Sequence, residues 1–319
     1  MPGDKPQTDW LPSASPEALQ QRANLLALIR DYFHRQGVTE VETPLMSRAG
    51  NSDPGIRQFA LKEQDLWLRT SPEYAMKRLL AAGSGDIFEL GRVFRAAEQG
   101  RHHNAEFTML EWYRVGWTYF ELMDEVSSLV RQCLPDLALD ESRVTYRDLL
   151  MAYAGVDPMD DPDGAIRDQV AASGFDVPGL DRQGLLDLLI THAVQPNLPE
   201  NALTFVYDFP LEQAALARIR KDTPPVAERF ELFLGKLELA NGYQELCDPI
   251  EQRRRFEQEN ALREAGSEPG IPLDERLLAA LESGMPDCAG VALGLDRLLM
   301  RVCGATSLEE VLAFPSDRA

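Results

Sequence analysis

The strongest constraint on the fold of this chain comes from two strand-like segments that flank a polar loop. Ile87–Arg95 (IFELGRVFR) and Phe107–Val115 (FTMLEWYRV) show the alternation that is typical of β-strands. The loop between them, residues 96–106 (AAEQGRHHNAE), is polar, so the two segments predict an antiparallel hairpin with a long loop. Because side chains alternate between the faces of a strand, one face of the return strand carries Phe107, Met109, Glu111 and Tyr113.

The rest of the chain predicts further strands outside simple βαβ alternation, and therefore a mixed, largely antiparallel sheet with flanking helices, of the α+β class. We expect one domain over residues 1–319, interrupted by an insertion at 157–199 that is rich in Asp, Gly and Pro and holds two short helices. The expected strands or extended segments lie at 37–46, 66–70, 203–209 and 229–246, and the expected helices at 16–36 (after a Ser15 N-cap), 72–82, 119–133, 146–154, 249–265 and 273–283, with a final strand and helix within 290–302.

The charge of the chain argues against long nucleic acid as a ligand. Asp and Glu number 52 and Lys and Arg number 32, which gives a formal net charge of −20. Binding of nucleic acid requires many Lys and Arg contacts to phosphate, so we expect no tRNA partner. The charge suits steering of a basic protein partner, or it serves only to keep the chain in solution.

Cysteine usage and hydropathy predict a reduced, cytoplasmic location without a membrane. No CxxC or Cys/His spacing that would suggest zinc or a disulfide framework is present. No apolar run reaches the roughly 18 residues of a membrane span, and residues 1–20 lack the pattern of a secretory signal. The cysteines are scattered along the chain at Cys133, Cys247, Cys288 and Cys303.

The predicted hairpin carries groups that suit a polyphosphate beside a cationic group. Arg95 ends the first strand, the loop holds a basic stretch at 101–104 (RHHN), and Glu111 lies on the return strand. An arginine offers a planar fork of donors that fits phosphate. The alternative is a surface hairpin with solvated charges.

Small residues mark the last strand and helix. Gly290 and Gly294 would let a ligand approach the backbone, and Arg297 would lie in the first turn of the helix that follows. The alternative is that these small residues only allow close packing of the helix on the sheet.

A third group of polar residues is acidic. Glu231, Glu238 and Glu245 recur every seven residues, with Asn241 between the last two. In a strand an odd spacing alternates faces, but expected turns at Gly235 and at Asn241-Gly242 would allow the acids to converge. Carboxylate oxygens are ligands that Mg²⁺ prefers. A run of exposed acids in an acidic protein is the alternative.

These segments together resemble the class II aminoacyl-tRNA synthetases. Residues 88–113 resemble motif 2, residues 290–300 (GVALGLDRLLM) resemble motif 3, and residues 37–46 (GVTEVETPLM) resemble motif 1, the dimer-interface motif. Residues 69–80 (RTSPEYAMKRLL) and 228–246 (ERFELFLGKLELANGYQEL) are similar to the lysyl branch. The resemblance implies the class II catalytic core and, from motif 1, a homodimer.

Motif 1 begins near residue 37, which leaves no room for the N-terminal anticodon-binding domain of lysyl-tRNA synthetases. The chain therefore resembles the stand-alone paralogues that ligate β-lysine to elongation factor P. This resemblance implies an enzyme that uses ATP and Mg²⁺, activates (R)-β-lysine or lysine as an adenylate, and transfers it to a lysine side chain of elongation factor P.

The resemblance also implies a role for individual residues. Arg95 would hold the α-phosphate and Arg297 the γ-phosphate side, as the catalytic pair, and Glu231 and Glu238 would hold Mg²⁺. The expected ATP contacts are Arg95, Ala96, Ala97, Asn104, Glu238, Leu239, Gly294 and Arg297. The expected amino-acid pocket comprises Ser71, Glu73, Glu111, Tyr113, Asn241, Glu245 and Ala292.

Two positions depart from the family pattern. Arg95-Ala96-Ala97 stands where the family has Arg-Asn-Glu, so either one nucleotide contact is missing or Glu98 replaces it. Ala292 stands where lysyl-tRNA synthetases have Gly, and its methyl group would reshape the pocket floor for a β-amino acid.

Three other functions stay open at this point. A truncated lysyl-tRNA synthetase would charge tRNA with lysine. A catalytically inactive regulatory module is suggested only by the change at Ala97. An asparagine ligase of similar fold is disfavoured, because residues 71–80 and 240–246 suit a basic amino acid.

Overall fold

The computed structural model describes residues 10–175 and 178–319, and its centre is a large mixed sheet. The strands are β1 (Thr39–Glu40), β2 (Met46–Ser47), β3 (Ala60–Leu61), β4 (Leu66–Leu68), β5 (Ile87–Phe94), β6 (Glu106–Val115), β7 (Asp140–Thr145), β8 (Ala202–Phe209), β9 (Ile219–Arg220), β10 (Val226–Leu234), β11 (Leu237–Gln244) and β12 (Cys288–Gly294). The large sheet has the order β1-β5-β6-β12-β11-β10-β8-β7, with β9 beside β10, and β2-β4-β3 form a small separate sheet. The pairs β1/β5 and β7/β8 are parallel and the other pairs of the large sheet are antiparallel, which confirms the predicted fold class.

Helices cover both faces of this sheet. They are α1 (Pro16–Arg35), α2 (Glu73–Ala81), α3 (Tyr119–Cys133), α4 (Tyr146–Ala154), α5 (Asp163–Ala172), α6 (Arg182–Leu189), α7 (Pro249–Ala265), α8 (Glu275–Glu282) and α9 (Leu295–Cys303). The start of α1 follows the predicted signal, since the Ser15 hydroxyl accepts a hydrogen bond from the Ala18 N–H at 3.2 Å. Among the described residues, none of these helices combines the length and apolarity needed to cross a membrane.

The predicted hairpin is present as β5 and β6. The two strands pair antiparallel from Ile87 opposite Tyr113 to Phe94 opposite Glu106. Alternate residues of β6 face opposite sides, with Leu110 and Trp112 in the largest hydrophobic core and the residues between them on the other side. That core packs beneath α1, α3 and α9, so the opposite face of the sheet is left for the site.

The hairpin of β10 and β11 differs from the prediction in one respect. The chain turns at Gly235, which has a φ of 59°, but Asn241 and Gly242 lie inside β11 and form no turn. The irregularity is a β-bulge instead: Leu232 pairs with Ala240 and Phe233 with Glu238, so that one extra residue of β11 lies between. The bulge shifts the alternation by one residue, and Glu238 therefore joins the face that carries Asn241 and Glu245.

Some elements were missed by the sequence analysis. Strand β7 (DESRVT) is a mostly exposed edge strand whose polar residues lack the alternation that marks a half-buried strand. The short strands β3 and β9 contain two residues each, too few for a pattern. Residues 37–46 are extended, but only Thr39–Glu40 and Met46 belong to strands.

Residues 157–199, the predicted insertion, contain two short helices, α5 and α6, followed by a π-helical turn (Ile190–Val194) and a short 3₁₀ turn (Gln195–Asn197). Their apolar side chains form a second hydrophobic core with α4, β8 and β10. Residues 176–177 of the insertion, and residues 1–9 of the predicted single domain, lie outside the described residues. The insertion thereby forms a wall against the same face of the sheet as the site.

Candidate active site

One cavity of about 470 Å³ on this face of the sheet gathers most of the predicted site residues. Arg95, Glu238, Glu245 and Arg297, which come from distant parts of the sequence, all line it. It is also lined by Ser71, Glu73, Asn104, Glu111, Tyr113, Glu231, Leu239, Asn241, Ala292 and Gly294. Residues from distant segments of the chain therefore share one cavity over the antiparallel strands.

Ala96 and Ala97 are the predicted site residues that do not line this cavity. The N–H group of Ala96 donates to the Arg57 carbonyl at 2.8 Å, and Ala97 takes a left-handed conformation with a φ of 65°. Glu98 does line the cavity, and its Oε1 lies 3.6 Å from Arg95 Nη1. Of the two interpretations of this loop, the geometry favours the one in which Glu98 replaces the missing acidic contact.

One end of the cavity is an acid cluster, which we define as Glu73, Glu111 and Glu245. Glu111 is buried, and its carboxylate accepts hydrogen bonds from the Ser71 hydroxyl at 2.9 Å and the Tyr113 hydroxyl at 2.7 Å. Burial, followed by the charge of Glu73, raises the pKa of Glu111 above its ordinary range. A cation that enters the acid cluster therefore stabilises the ionised form of its carboxylates.

Lys77 completes this end of the cavity and was not singled out from the sequence. Its Nζ lies 2.6 Å from Glu73 Oε1 and 2.6 Å from Glu245 Oε2, and its side chain is 1% exposed. Burial lowers the pKa of Lys77, but the charges of Glu245 and Glu73 outweigh that effect and raise it above its ordinary value. The spacing of Glu73 and Lys77 by four residues on a predicted helix was the signal that could have found it.

The other end of the cavity is cationic. The Arg95 guanidinium lies over the Phe107 ring, 5.3 Å from its centroid. Arg297, in the first turn of α9 as predicted, donates to the Glu238 carbonyl at 2.9 Å and lies 2.8 Å from His103 Nε2. Burial, followed by the charge of Arg297, lowers the pKa of His102 and of His103, so both imidazoles are neutral near pH 7.

The cavity is also lined by residues of β10 and β11 that suit a divalent cation. Glu231 and Glu238 both line the cavity, and the charge of Glu238 contributes to the raised pKa of Glu231 after burial. Mg²⁺ takes one or two carboxylates and completes its shell with phosphate oxygens and water, so this pair fits. Within the described residues no cluster of three or more His, Cys, Asp or Glu could hold a metal by itself.

Arg229 is a further residue that the sequence analysis missed. Its guanidinium packs over the Phe209 ring at 4.4 Å and donates to Glu231 and to the Asn241 side-chain oxygen. The Asn241 amide in turn donates to the Tyr243 hydroxyl at 3.0 Å. These contacts fix the orientation of Glu231 and Asn241, because both side chains have a partner before any ligand binds.

The glycines of β12 serve different purposes. A Cβ at Gly290 would lie 2.3 Å from Tyr113 Cε1 and 2.4 Å from Glu245 Oε1, so this glycine makes room for protein side chains. A Cβ at Gly294 would meet only Arg297, at 3.7 Å or more, so the backbone there is open to the cavity. Ala292 lies between them, opposite Glu111 of β6 and Asn241 of β11.

Two further groups of lining residues were not predicted. Glu259 of α7 accepts a hydrogen bond from the Ser52 hydroxyl, and burial raises the pKa of Glu259 to about 7. Gln183 and Asp187, from α6, bring the insertion to the cavity. Asn104 lines the cavity, although its side-chain amide donates to the Glu106 carbonyl at 2.6 Å.

The arrangement can bind two unlike ligands side by side. The acid cluster suits ammonium groups, since a buried cation needs paired anions. The two arginines suit phosphate oxygens, and Glu231 and Glu238 suit a divalent cation between them. A small amino acid held by its ammonium groups would therefore present its carboxylate towards a bound polyphosphate.

Comparison with known proteins agrees with this geometry. The family profile described as tRNA synthetases class II (D, K and N) matches residues 6–318. The chain is 47% identical to a protein of Vibrio vulnificus (strain YJ016) named elongation factor P–(R)-β-lysine ligase, over 97% of this chain and 98% of that protein. The chain belongs to the class II tRNA synthetases of the D, K and N group.

Proposed function

We propose that the chain is an ATP-dependent ligase that activates (R)-β-lysine, or lysine, as an adenylate and transfers it to a lysine side chain of elongation factor P. The observation that carries this proposal is that the acid cluster and the two arginines line one shared cavity. The named activity of the Vibrio vulnificus relative, which is similar over nearly its whole length, supports the same substrates.

The proposed cofactors are ATP and Mg²⁺, in keeping with membership of a synthetase family. Glu231 and Glu238 would hold Mg²⁺, which would neutralise phosphate charge during adenylation. Arg297 and Asn104 would contact the nucleotide, together with the backbone at Leu239 and Gly294.

In the proposed first step the substrate carboxylate attacks the α-phosphorus of ATP and pyrophosphate leaves. Arg95 would stabilise the charge that develops on the α-phosphate, while the acid cluster holds the ammonium groups and orients the carboxylate. No nucleophilic side chain of the protein is needed, because the carboxylate itself is the nucleophile.

In the proposed second step the amine of the target lysine attacks the carbonyl of the adenylate, an amide forms, and AMP leaves. The proposal further includes a homodimer, based on the resemblance of residues 37–46 to motif 1, and a single catalytic domain. It includes a cytoplasmic location, where a translation factor would be met.

The test is mass spectrometry of elongation factor P after incubation with the chain, ATP, Mg²⁺ and (R)-β-lysine. We expect the mass of elongation factor P to rise by one lysyl residue on a single lysine, and no rise when ATP is omitted. A parallel reaction with tRNA and lysine should leave the tRNA uncharged. Charged tRNA with unmodified elongation factor P would establish a truncated lysyl-tRNA synthetase instead.

A further inference from the structure

The buried ammonium of Lys77 lies inside the part of the cavity that is proposed to bind a cationic substrate. It joins Glu73, at the start of α2, to Glu245, which follows β11. The Glu245 backbone is itself fixed, since its N–H donates to the Cys288 carbonyl at 3.0 Å. The ion pairs therefore connect helix α2 to the centre of the large sheet.

This position is costly for a charged side chain. The neighbours of Lys77 on α2, Met76 and Leu80, are buried apolar residues, and a methionine at position 77 would carry no desolvation penalty. The two carboxylates offset the cost of burying the ammonium, and each carboxylate in turn gains a counter-ion. A role in packing alone does not account for a charge placed among three acids.

The charges of the acid cluster are unbalanced without Lys77. Three ionised carboxylates repel one another when they are held together away from water, and Glu73 and Glu245 each disfavour ionisation of Glu111. When a cationic substrate keeps all three carboxylates ionised, these three charges and the one ammonium of Lys77 leave two net negative charges. A lysine or β-lysine molecule carries two ammonium groups.

We propose, on the basis of the proposed function, that Lys77 is a resident counter-ion and a specificity-determining residue of the amino-acid site. It holds Glu73 and Glu245 in position and leaves the acid cluster with two net negative charges, which match the two ammonium groups of a lysine-type substrate. Lys77 is a positioning residue in this account, because it acts on the substrate through the two carboxylates.

The titratable groups around Lys77 come from several elements. Cys247 and Cys288 lie within its electrostatic reach, and burial is the main cause that raises the pKa of each thiol, so both are neutral near pH 7. The titratable groups that face one or both of the two carboxylates are Glu111 and Tyr113 from β6, Tyr243 from β11, Tyr74 from α2 and Glu259 from α7. Among the described residues, Lys77 is thus the cation that directly contacts the acid cluster.

The first test compares Lys77→Met with Arg78→Met, which removes a charge from the exposed side of the same helical turn. Pyrophosphate exchange gives KM for β-lysine and for ATP at several pH values. Burial raises the pKa of Glu245 to about 8 even with Lys77 present, and loss of Lys77 removes the group that opposes protonation, so the pKa of Glu245 rises further. We expect KM for β-lysine to rise at least about tenfold at pH 7 and to recover towards pH 9, since each pKa unit changes the ionised fraction about tenfold.

In the same experiment KM for ATP should stay within about twofold of the wild type, and Arg78→Met should behave like the wild type. A KM for β-lysine of Lys77→Met that runs parallel to the wild type across pH would overturn the proposal. If the wild type itself shows no exchange with β-lysine, the proposed function fails instead, so the two failures are distinguishable.

A second test covers the case in which Lys77→Met folds poorly. Glu245→Gln leaves one net negative charge in the cluster, and adding Lys77→Met to it restores two. We expect the double variant to have a KM for β-lysine about tenfold lower than that of Glu245→Gln alone, although both exceed the wild type. A double variant whose KM equals or exceeds that of Glu245→Gln would contradict charge matching and indicate a structural role.

Discussion

The two ends of the cavity are built in different ways. The acid cluster lies on helix α2, on strand β6 and directly after β11, and its carboxylates contact Ser71, Tyr113 and Lys77. Arg95 and Arg297 have side chains that are 27% and 22% exposed, and they lie beside the long loop of the β5–β6 hairpin. The acid-cluster end, here called the fixed end, is therefore more buried and is held by ion pairs, whereas the arginine end, here called the open end, is more exposed and is partly formed by a loop.

This difference follows from the ligands that each end would bind. Water competes strongly for a single ammonium group, so a binding site for it must exclude water and supply anions. The cost of burying those anions must be offset by protein groups before the substrate binds. A polyphosphate carries several charges and brings Mg²⁺ with it, so exposed arginines and a loop suffice to bind it. Changes at the fixed end should mainly affect binding, and changes at the open end should mainly affect the rate.

The largest effect is expected from Arg95→Met. Its guanidinium is the group that we propose stabilises charge on the α-phosphate, so its removal should lower kcat for pyrophosphate exchange by about 10³-fold. KM for β-lysine should change little. The matched control is Arg92→Met, an exposed arginine of β5, the strand that ends directly before Arg95. A large rise in KM for β-lysine without loss of kcat would show that the two ends do not act separately.

The converse change at the fixed end is Glu111→Gln. A neutral amide keeps one acceptor for Ser71 or Tyr113 but removes the charge that an ammonium needs. KM for β-lysine should rise by about 30- to 100-fold, which corresponds to about 2–3 kcal/mol for a hydrogen bond to a charged group. Glu106→Gln, at the exposed start of the same strand, is the control for steady-state kinetics of exchange. Equal losses in both variants would contradict the assignment of Glu111 to the pocket.

Much of this site was predictable because strand alternation specifies which side chains share a face. The alternation along β6 predicts that Met109, Glu111 and Tyr113 lie together, and the cavity contains all three. The helix that starts after Ser71 and the strand that carries Ala292 are also marked by local signals, Pro72 and the surrounding glycines.

The remaining features depend on contacts between distant segments. The bulge at Leu239 brings Glu238 onto the cavity face. No residue type near Leu239 predicts an extra residue in the strand. Lys77 has the sequence pattern of an ordinary helical lysine, and only the folded sheet brings Glu245 to it. Ala97 was assigned to the nucleotide by resemblance, but the backbone of this loop presents Glu98 instead.

A smaller effect is expected at the floor of the cavity, where Ala292 lies opposite Glu111 and Asn241. Ala292→Gly should shift the ratio of kcat/KM for β-lysine over α-lysine by about tenfold towards α-lysine, the usual scale for one methyl group in a pocket. Ala289→Gly is the matched control, because that residue points into the hydrophobic core on the opposite face. An unchanged ratio in Ala292→Gly would disprove a role of this methyl group in choosing the substrate.

The smallest effect concerns stability. It tests whether the burial that marks the fixed end extends to Glu259. Burial raises the pKa of Glu259 from its ordinary 4.5 to about 7, so between those pH values the folded chain binds more protons than the unfolded chain. Stability therefore falls as pH rises through this window, and the loss is complete above about pH 7.

Glu259→Gln removes this penalty and keeps an acceptor for the Ser52 hydroxyl. Relative to the wild type, we expect the free energy of unfolding of the variant to rise by about 1–2 kcal/mol between pH 5 and pH 8, as measured by urea unfolding. The rise is smaller than the full pKa shift would give, because Glu259 is partly exposed. Glu257→Gln, exposed on the same helix, should show no such gain. If the free energy of unfolding has the same pH dependence in the two variants, the carboxylate of Glu259 is solvated. The buried region then ends at the acid cluster and Lys77.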